Sequence, residues 1–354
     1  MFSIAIGTPV QERVISSIQS DDDCCRYKIV ELKIKTNFMK KNCLFIILFS
    51  LMTCQIFAQL RKNKSDFGPS TLGIRKGTIK YQTPLFQLSL LNSSQTVSAL
   101  KTNDDDPFDF TPGDRLKERD KNGFYHLGDI TLGIRTSNSS DWSYYSTSKN
   151  RVDVSAIKSD NPNVLAAADL SKSLSADLPL QITRYWEKDG DNIVMRFEVK
   201  NISDKPVEIG ALGIPMIFNN NFNDKSLDQA HIENVFSDPY IGKDAGYIQV
   251  TRLQGKGKVL VVVPYGETPF EAYRPLLDDP MPSGYAFEGM HEWMVHSKSY
   301  AETEWKGVEQ WNIPTSEIIK PGESRSYGVK FLIASSVRDI ENTLALADRP
   351  VAVK

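Results

Sequence analysis

The chain has 354 residues, 42 Lys+Arg against 44 Asp+Glu, and 40% of its residues are hydrophobic. A near-neutral balance without a basic stripe excludes the electrostatic footprint of a nucleic-acid binder. All four cysteines (Cys24, Cys25, Cys43, Cys54) precede residue 59, so the remainder has neither a cysteine nucleophile nor a cysteine-based zinc site, and it is long enough to bury a large core without disulfides.

In chain order, residues 1–38 come first, with the acidic run Asp21-Asp22-Asp23. They read as a mis-assigned upstream extension, with translation starting at Met39. From Met39 the sequence runs through Lys40 and Lys41 to an apolar stretch at 43–52, then to Ala58 before the polar Gln59. A basic start, an apolar run and a small residue at the junction make a secretory signal peptide cleaved after Ala58. The apolar run falls short of the about 20 residues that a spanning helix needs. Lipid attachment at Cys54 is a second reading, but Met52 and Thr53 fit that pattern loosely. The expected product is secreted or periplasmic, without a stable membrane span after cleavage. Removing the 7 basic and 5 acidic residues of positions 1–58 leaves 35 and 39, a net charge of −4.

Strand signals dominate from residue 67. Residues 86–90 and 96–100 alternate in hydropathy on either side of Asn92-Ser93-Ser94, and residues 130–135 form another candidate strand. Residues 182–186 and 193–199 flank Asp189-Gly190, whose residue types suit a tight hairpin turn with positive φ. Residues 207–212 resume the pattern, 247–253 and 259–263 flank a Gly-Lys-Gly turn, and Pro321-Gly322-Glu323 separates 317–319 from 326–333. Residues 103–122 are polar and rich in Asp, Pro and Gly and read as a long loop. Residues 161–174 could hold a turn or two of helix. Val337, Ile340, Leu344 and Leu346 make 336–347 the best helix candidate, capped by Ser335 or Ser336. Short runs between regular turns predict an all-β fold: a large two-sheet antiparallel supersandwich over residues 59–335, followed by one short C-terminal helix.

The common catalytic templates are missing. No glycine-rich phosphate loop follows a strand, and there is no Gly-x-Ser-x-Gly elbow. His291 and His296 stand five apart, whereas the zinc-protease helix needs four to place both on one face. No metal site or cofactor is expected. Asn219 to Asp228 could offer oxygen ligands to calcium but lacks the spacing of a calcium loop, and reads as a polar connection between strands. Three of the five tryptophans fall within 19 residues, among acids and histidines. The candidate carbohydrate-binding set is Glu271, Tyr273, Arg274, Glu288, His291, Glu292, Trp293, His296, Trp305 and Trp311, because sugar C–H faces pack on aromatic rings while charged groups bond hydroxyls. The competing reading has the tryptophans filling the space between two sheets and the acids solvated at its edges.

Residues 108–115 (Phe-Asp-Phe-Thr-Pro-Gly-Asp-Arg), 123–129 (Gly-Phe-Tyr-His-Leu-Gly-Asp), 268–275 (Thr-Pro-Phe-Glu-Ala-Tyr-Arg-Pro) and Glu309-Gln310-Trp311 resemble a group of large secreted bacterial and fungal proteins catalogued as a domain of unknown function. That group is similar to glycosidases joining an N-terminal β-supersandwich to an (α/α)6 toroid, and its sandwich looks like those of galactose mutarotases and sugar lyases. The resemblance implies a carbohydrate-recognition or support module of a glycoside-hydrolase-like protein, with poly- or oligosaccharide and a C-terminal helical domain as partners and the catalytic acids outside this chain. Residues 336–354 would then be a connector, packing on few neighbours and exposing Leu344 and Leu346. The alternative is a free-standing mutarotase-like epimerase or polysaccharide lyase. An epimerase would pair a Glu base with a His acid across an open cleft, and Glu271 or Glu288 with His291 or His296 are the candidates.

Overall fold

Alternating apolar residues and well-placed turns produce seventeen strands among the described residues. The computed structural model describes residues 69–351 apart from 137–138, 282 and 284–287; the upstream extension, the signal peptide and Phe287 lie outside the described residues. In chain order the strands are β1 Thr78–Gln82, β2 Phe86–Leu91, β3 Val97–Thr102, β4 Thr131–Thr136, β5 Ser143–Ser146, β6 Ser155–Ile157, β7 Val164–Asp169, β8 Leu180–Asp189 and β9 Asn192–Asn201. They continue with β10 Val207–Met216, β11 Val235–Tyr240, β12 Tyr247–Arg252, β13 Val259–Tyr265, β14 Ala272–Pro275, β15 His291–His296, β16 Glu317–Ile319 and β17 Ser324–Ala334. Three short helices are α1 Leu227–Glu233, α2 Lys298–Glu302 and α3 Ile340–Leu346.

The strands form an eight-stranded sheet in the order β11-β12-β13-β17-β9-β8-β7-β6 and a six-stranded sheet in the order β14-β15-β10-β4-β5, with β16 also on β10. A small sheet, β1-β2-β3, is the third. Every strand pair is antiparallel. One core draws on all three: Phe86 and Leu88 from the small sheet, Trp186, Phe197 and Phe331 from the large one, and Leu132, Ile214 and Trp293 from the six-stranded one. The expected all-β sandwich is present, and the small sheet is an addition that the sequence pattern did not separate from the other strands.

The β8–β9 hairpin is the clearest link from sequence to structure. Its register runs from Leu180↔Asn201 to Asp189↔Asn192, and the turn needs a residue with positive φ, which Gly190 supplies at 58°. Residues 161–174 depart from expectation. Leu165 and three alanines favour helix locally, yet β7 pairs with β8, leaving only a 3-10 turn at Ser171–Ser173; sheet pairing overrides a weak intrinsic preference. The turn at Pro321-Gly322-Glu323 carries the chain from one sheet to the other, since β16 pairs with β10 and β17 with β9 and β13.

The C-terminal helix is shorter than predicted. A 3-10 turn, Val337–Asp339, precedes α3, and Asp339 rather than a serine sits at its N-cap. The Asp339 carboxylate accepts from the Ser335 backbone N–H (3.1 Å) and hydroxyl (3.0 Å). Leu344 is only 2% exposed, and with Ile340 it packs on Val259, Val261, Val263, Leu332 and Ala334. The expected exposure of Leu344 is therefore overturned, because β13 and β17 present an apolar outer face that needs covering. Leu346 is 80% exposed, as expected. Among the described residues no helix is long and apolar enough to cross a membrane.

Candidate functional site

Strand alternation puts a second set of residues on the outer face of the six-stranded sheet. The order of β10 is broken at Gly210, and its core-facing positions change there from Val207 and Ile209 to Leu212, Ile214 and Met216. A bulge of this kind re-aims side chains on one strand. It leaves Gly213 beneath the carboxylate of Glu292 on β15, where any Cβ would collide with the carboxylate and with the Thr131 hydroxyl.

Above this floor lies an open cleft of 440 Å³. Tyr125, Tyr144, Tyr145 and Tyr300 line it with Arg274, Glu304, Lys149 and Asp278. Arg274 Nη1 donates to Glu292 Oε1 at 2.9 Å, its Nη2 donates to Glu304 Oε2 at 3.1 Å, and the guanidinium lies 4.2 Å from the centre of the Tyr300 ring. Thr131 Oγ1 donates to Glu292 Oε2 at 2.6 Å. Burial raises the Glu292 carboxyl above the usual carboxylate range, against the pull of Arg274 and Thr131. Burial also pulls on the Arg274 guanidinium, but the charges of Glu292 and Glu304 outweigh it and hold its pKa above the ordinary value.

The tyrosines are held as carefully as the charges. Tyr144 stacks on Tyr300 with ring centres 5.4 Å apart at 27°, and its hydroxyl lies 3.1 Å from Thr303 Oγ1. The Tyr125 hydroxyl donates to Asp278 at 3.0 Å, which also pairs with Lys149. A buried ion pair places the Tyr125 backbone: Arg119 Nη2 donates to Asp279 Oδ2 (2.9 Å) and to the Tyr125 carbonyl (2.6 Å), while the Tyr125 N–H donates to Asp279 (3.0 Å). Asp129 closes the same turn by accepting from the His126 N–H, Thr147 Oγ1 and Arg151 Nη2. Residues 123–129 are thus the scaffold of one cleft wall.

Arg274 alone of the sequence-predicted set lines the cleft, with Glu292 bonded beneath it. Trp305 packs on Tyr300 at 5.2 Å and donates from Nε1 to Glu304 at 3.2 Å. The others lie elsewhere. Trp293 is a core residue, stacked on Phe270 at 3.8 Å with Nε1 donating to the Pro269 carbonyl. Tyr273 and His291 stack at 4.9 Å. Glu288 accepts from the Phe222 N–H at 2.6 Å. Glu271 accepts from Ser297 Oγ (2.7 Å) and the Thr315 N–H (3.1 Å), and His296 Nδ1 lies 2.8 Å from Thr315 Oγ1. Both are buried, so they pin the 303–316 segment. Trp311 is 91% exposed and lies outside the cleft lining. None of the four epimerase candidates lines the cleft.

Sequence reasoning missed Tyr125, Thr131, Tyr144, Tyr145, Lys149 and Asp278. The available signal was Trp142-Ser143-Tyr144-Tyr145, three aromatics in four positions. Within 219–228, Asn219 is committed to the fold: its Nδ2 donates to Asp114 (3.0 Å) and the Glu233 carbonyl (3.1 Å). Among the described residues no group of three or more His, Cys, Asp or Glu is placed to hold a metal ion.

An antiparallel β-sandwich with an aromatic, charge-lined cleft on one outer sheet face is the class these observations define. Residues 89–354 match a family of unknown function, DUF5695, and the chain belongs to that family. No curated protein matches it. Among solved structures, a polysaccharide lyase shares the fold with a TM-score of 0.54 at 14% identity, over 73% of this chain and 34% of the lyase. The chain thus spans about a third of that protein's length. A putative aldose 1-epimerase from Escherichia coli K12 aligns at 10% identity over 73% of this chain and 100% of its own, with a TM-score of 0.41. An α-galactosidase from Geobacillus stearothermophilus aligns at 8% identity over 73% and 41%, with a TM-score of 0.40.

Proposed function

We propose that this chain is a carbohydrate-recognition module and that the cleft on the six-stranded sheet is its sugar site. The observation that carries this reading is the convergence of four tyrosines with two ion pairs in one open 440 Å³ cleft. Ring faces take sugar C–H surfaces, and the charged groups give and accept hydroxyl hydrogen bonds. The fold shared with a polysaccharide lyase supports a carbohydrate ligand. The test is affinity electrophoresis through gels containing soluble polysaccharides. Retardation of the native chain should be lost in Tyr144→Ala, and equal retardation of the two would remove the cleft from the proposal.

The proposal extends to the setting. The chain works as a recognition or support module beside a catalytic domain of a glycoside-hydrolase-like protein, supported by its alignment to only 34% of the lyase. The chain alone should then release no reducing ends from a polysaccharide that it binds. Export through residues 39–58 is part of the same reading, supported by Lys40, Lys41 and the apolar run after them. N-terminal sequencing of the natural protein should begin at Gln59.

A further inference from the structure

The charges of the cleft select among sugars, an inference that rests on the carbohydrate reading above. Among the described residues two cations reach the cleft, and both are committed. Arg274 is held by Glu292 and Glu304 at 2.9 and 3.1 Å. Lys149 is paired with Asp278, whose carboxylate also accepts the Tyr125 hydroxyl. Three carboxylates answer two cations. If the buried Glu292 carboxyl carries its proton, the remaining charges cancel; if it is ionised, the balance is negative.

A uronate or a sulfated sugar would therefore bring an anion beside Asp278 and Glu304 with no uncommitted cation among the described residues to receive it. Like charges at such range repel, and freeing a cation would mean breaking a pair whose partner then stays uncompensated. A neutral pyranose meets the opposite situation. Its hydroxyls donate to the outer lone pairs of Asp278 and Glu304 and accept from Lys149 and Arg274, all charge-assisted hydrogen bonds that need no change in net charge. Its C–H face has the Tyr144–Tyr300 stack to lie against. Asp278, Lys149 and Glu304 are each nearly half exposed, so these bonds are available without rearranging the floor.

We infer that the cleft recognises uncharged pyranose chains, with the Lys149–Asp278 and Arg274–Glu304 pairs reading their hydroxyls, and that it rejects uronates and sulfated glycans. The experiment runs the purified chain through gels containing neutral polymers (glucan, mannan, xylan, galactan) and polyanions (polygalacturonate, chondroitin sulfate). At least one neutral polymer should retard it, with an affinity that changes less than about twofold across a tenfold rise in salt. The polyanions should not. The double variant Asp278→Asn, Glu304→Gln should weaken the neutral ligand about tenfold and gain salt-sensitive retardation by polygalacturonate. Retardation of the native chain by a polyanion, lost in Lys149→Met, would overturn the inference while leaving the carbohydrate reading intact. Folded protein retarded by none of the polymers would overturn the carbohydrate reading, and this inference with it.

Discussion

The two outer faces of the sandwich show what becomes of residues that strand alternation turns away from the core. On the eight-stranded sheet, β13 and β17 turn out Val259, Val261, Val263, Leu332 and Ala334, and the chain covers them with Ile340 and Leu344 of α3. On the six-stranded sheet, β4, β14 and β15 turn out Thr131, Arg274 and Glu292, joined to one another by hydrogen bonds. The α2 helix, with Tyr300 and Trp305, packs over Ala211 and Met294 on part of that face, and an open cleft remains beside it. Burial of apolar area holds the first face together. The cleft floor on the second depends on each charge finding its partner, a more fragile arrangement because a stranded charge costs more than a lost methylene.

The strongest way to break the polar face is Arg274→Ala. It strands Glu292, which is fully buried, and losing one partner of a buried pair costs on the order of 3–5 kcal/mol. Without Arg274 the Glu292 carboxyl titrates higher in the folded state than in the unfolded chain. The variant should then lose stability as pH rises above the ordinary glutamate range and recover some of it below. Urea unfolding at pH 5 and pH 8 checks this. A deficit independent of pH would mean that packing on Tyr300, rather than charge, is what Arg274 contributes. Adding Glu292→Met should restore most of the loss, since removing both charges avoids the uncompensated one.

The corresponding cut on the apolar face is Leu344→Ala. A buried leucine truncated to alanine costs about 3 kcal/mol, and this deficit should be flat with pH. A change below about 0.5 kcal/mol would show that α3 detaches without consequence and restore the connector reading of residues 336–354. The contrast between a pH-dependent and a pH-flat loss separates the two faces more sharply than either number alone.

His296 adds a pH response beneath the polar face. Burial foremost, with the charge of Lys243, lowers its pKa from 6.5 to about 4. Its ring is enclosed by Thr315 Oγ1 at 2.8 Å and the Tyr327 hydroxyl at 3.0 Å, and Thr315 also bonds Glu271. The unfolded chain takes up this proton below 6.5 while the folded one stays neutral to about 4, so the stability from His296 is complete above pH 6.5 and is lost as pH falls through that window. The linked change is about 3 kcal/mol. Comparing native chain with His296→Gln by thermal melts from pH 7.5 to 4 tests it: the variant should show a shallower fall, and parallel curves would defeat the assignment.

Much of the sandwich was legible because its signals are local. Asp189-Gly190 between alternating runs specified a hairpin, and residues 86–100 another. The polar cleft was less legible because it is assembled from three distant stretches: residues 125–149, 274–278 and 300–304. Arg274 was found through its aromatic and acidic neighbours in sequence, but Trp293, Tyr273 and His291 have the same kind of neighbours and alternate onto other surroundings. Composition within a window does not reveal which face a residue takes, and the bulge at Gly210, which sets the face for Gly213, has no sequence signature beyond the glycine itself. Glu271 and His296 looked like catalytic groups for a related reason. Their residue types suit acid–base chemistry, and only their shared partner Thr315 shows that they fasten a loop.

The smallest expected effect belongs to Trp311, and it bounds the cleft. Trp311 lies at 91% exposure between Val308 and Ile313, themselves 65% and 83% exposed. A side chain so open contributes little packing, so Trp311→Ser should shift stability by no more than about 0.5 kcal/mol. Binding is the more discriminating measurement. If the sugar site is confined to the cleft, the variant should bind glycan as the native chain does, since Trp311 is absent from the lining. An indole face held in water is nevertheless a ready platform for a sugar ring, and Glu304 and Trp305 belong to the same 303–316 segment that Glu271 and Thr315 fasten to the sheet. A loss of affinity at unchanged melting temperature would therefore place a second contact on that segment, reached only by longer oligosaccharides. Repeating the measurement with a disaccharide and a hexasaccharide decides it: a short ligand confined to the cleft is indifferent to Trp311, and a defect seen only with the longer one would extend the recognition surface from the cleft onto the segment.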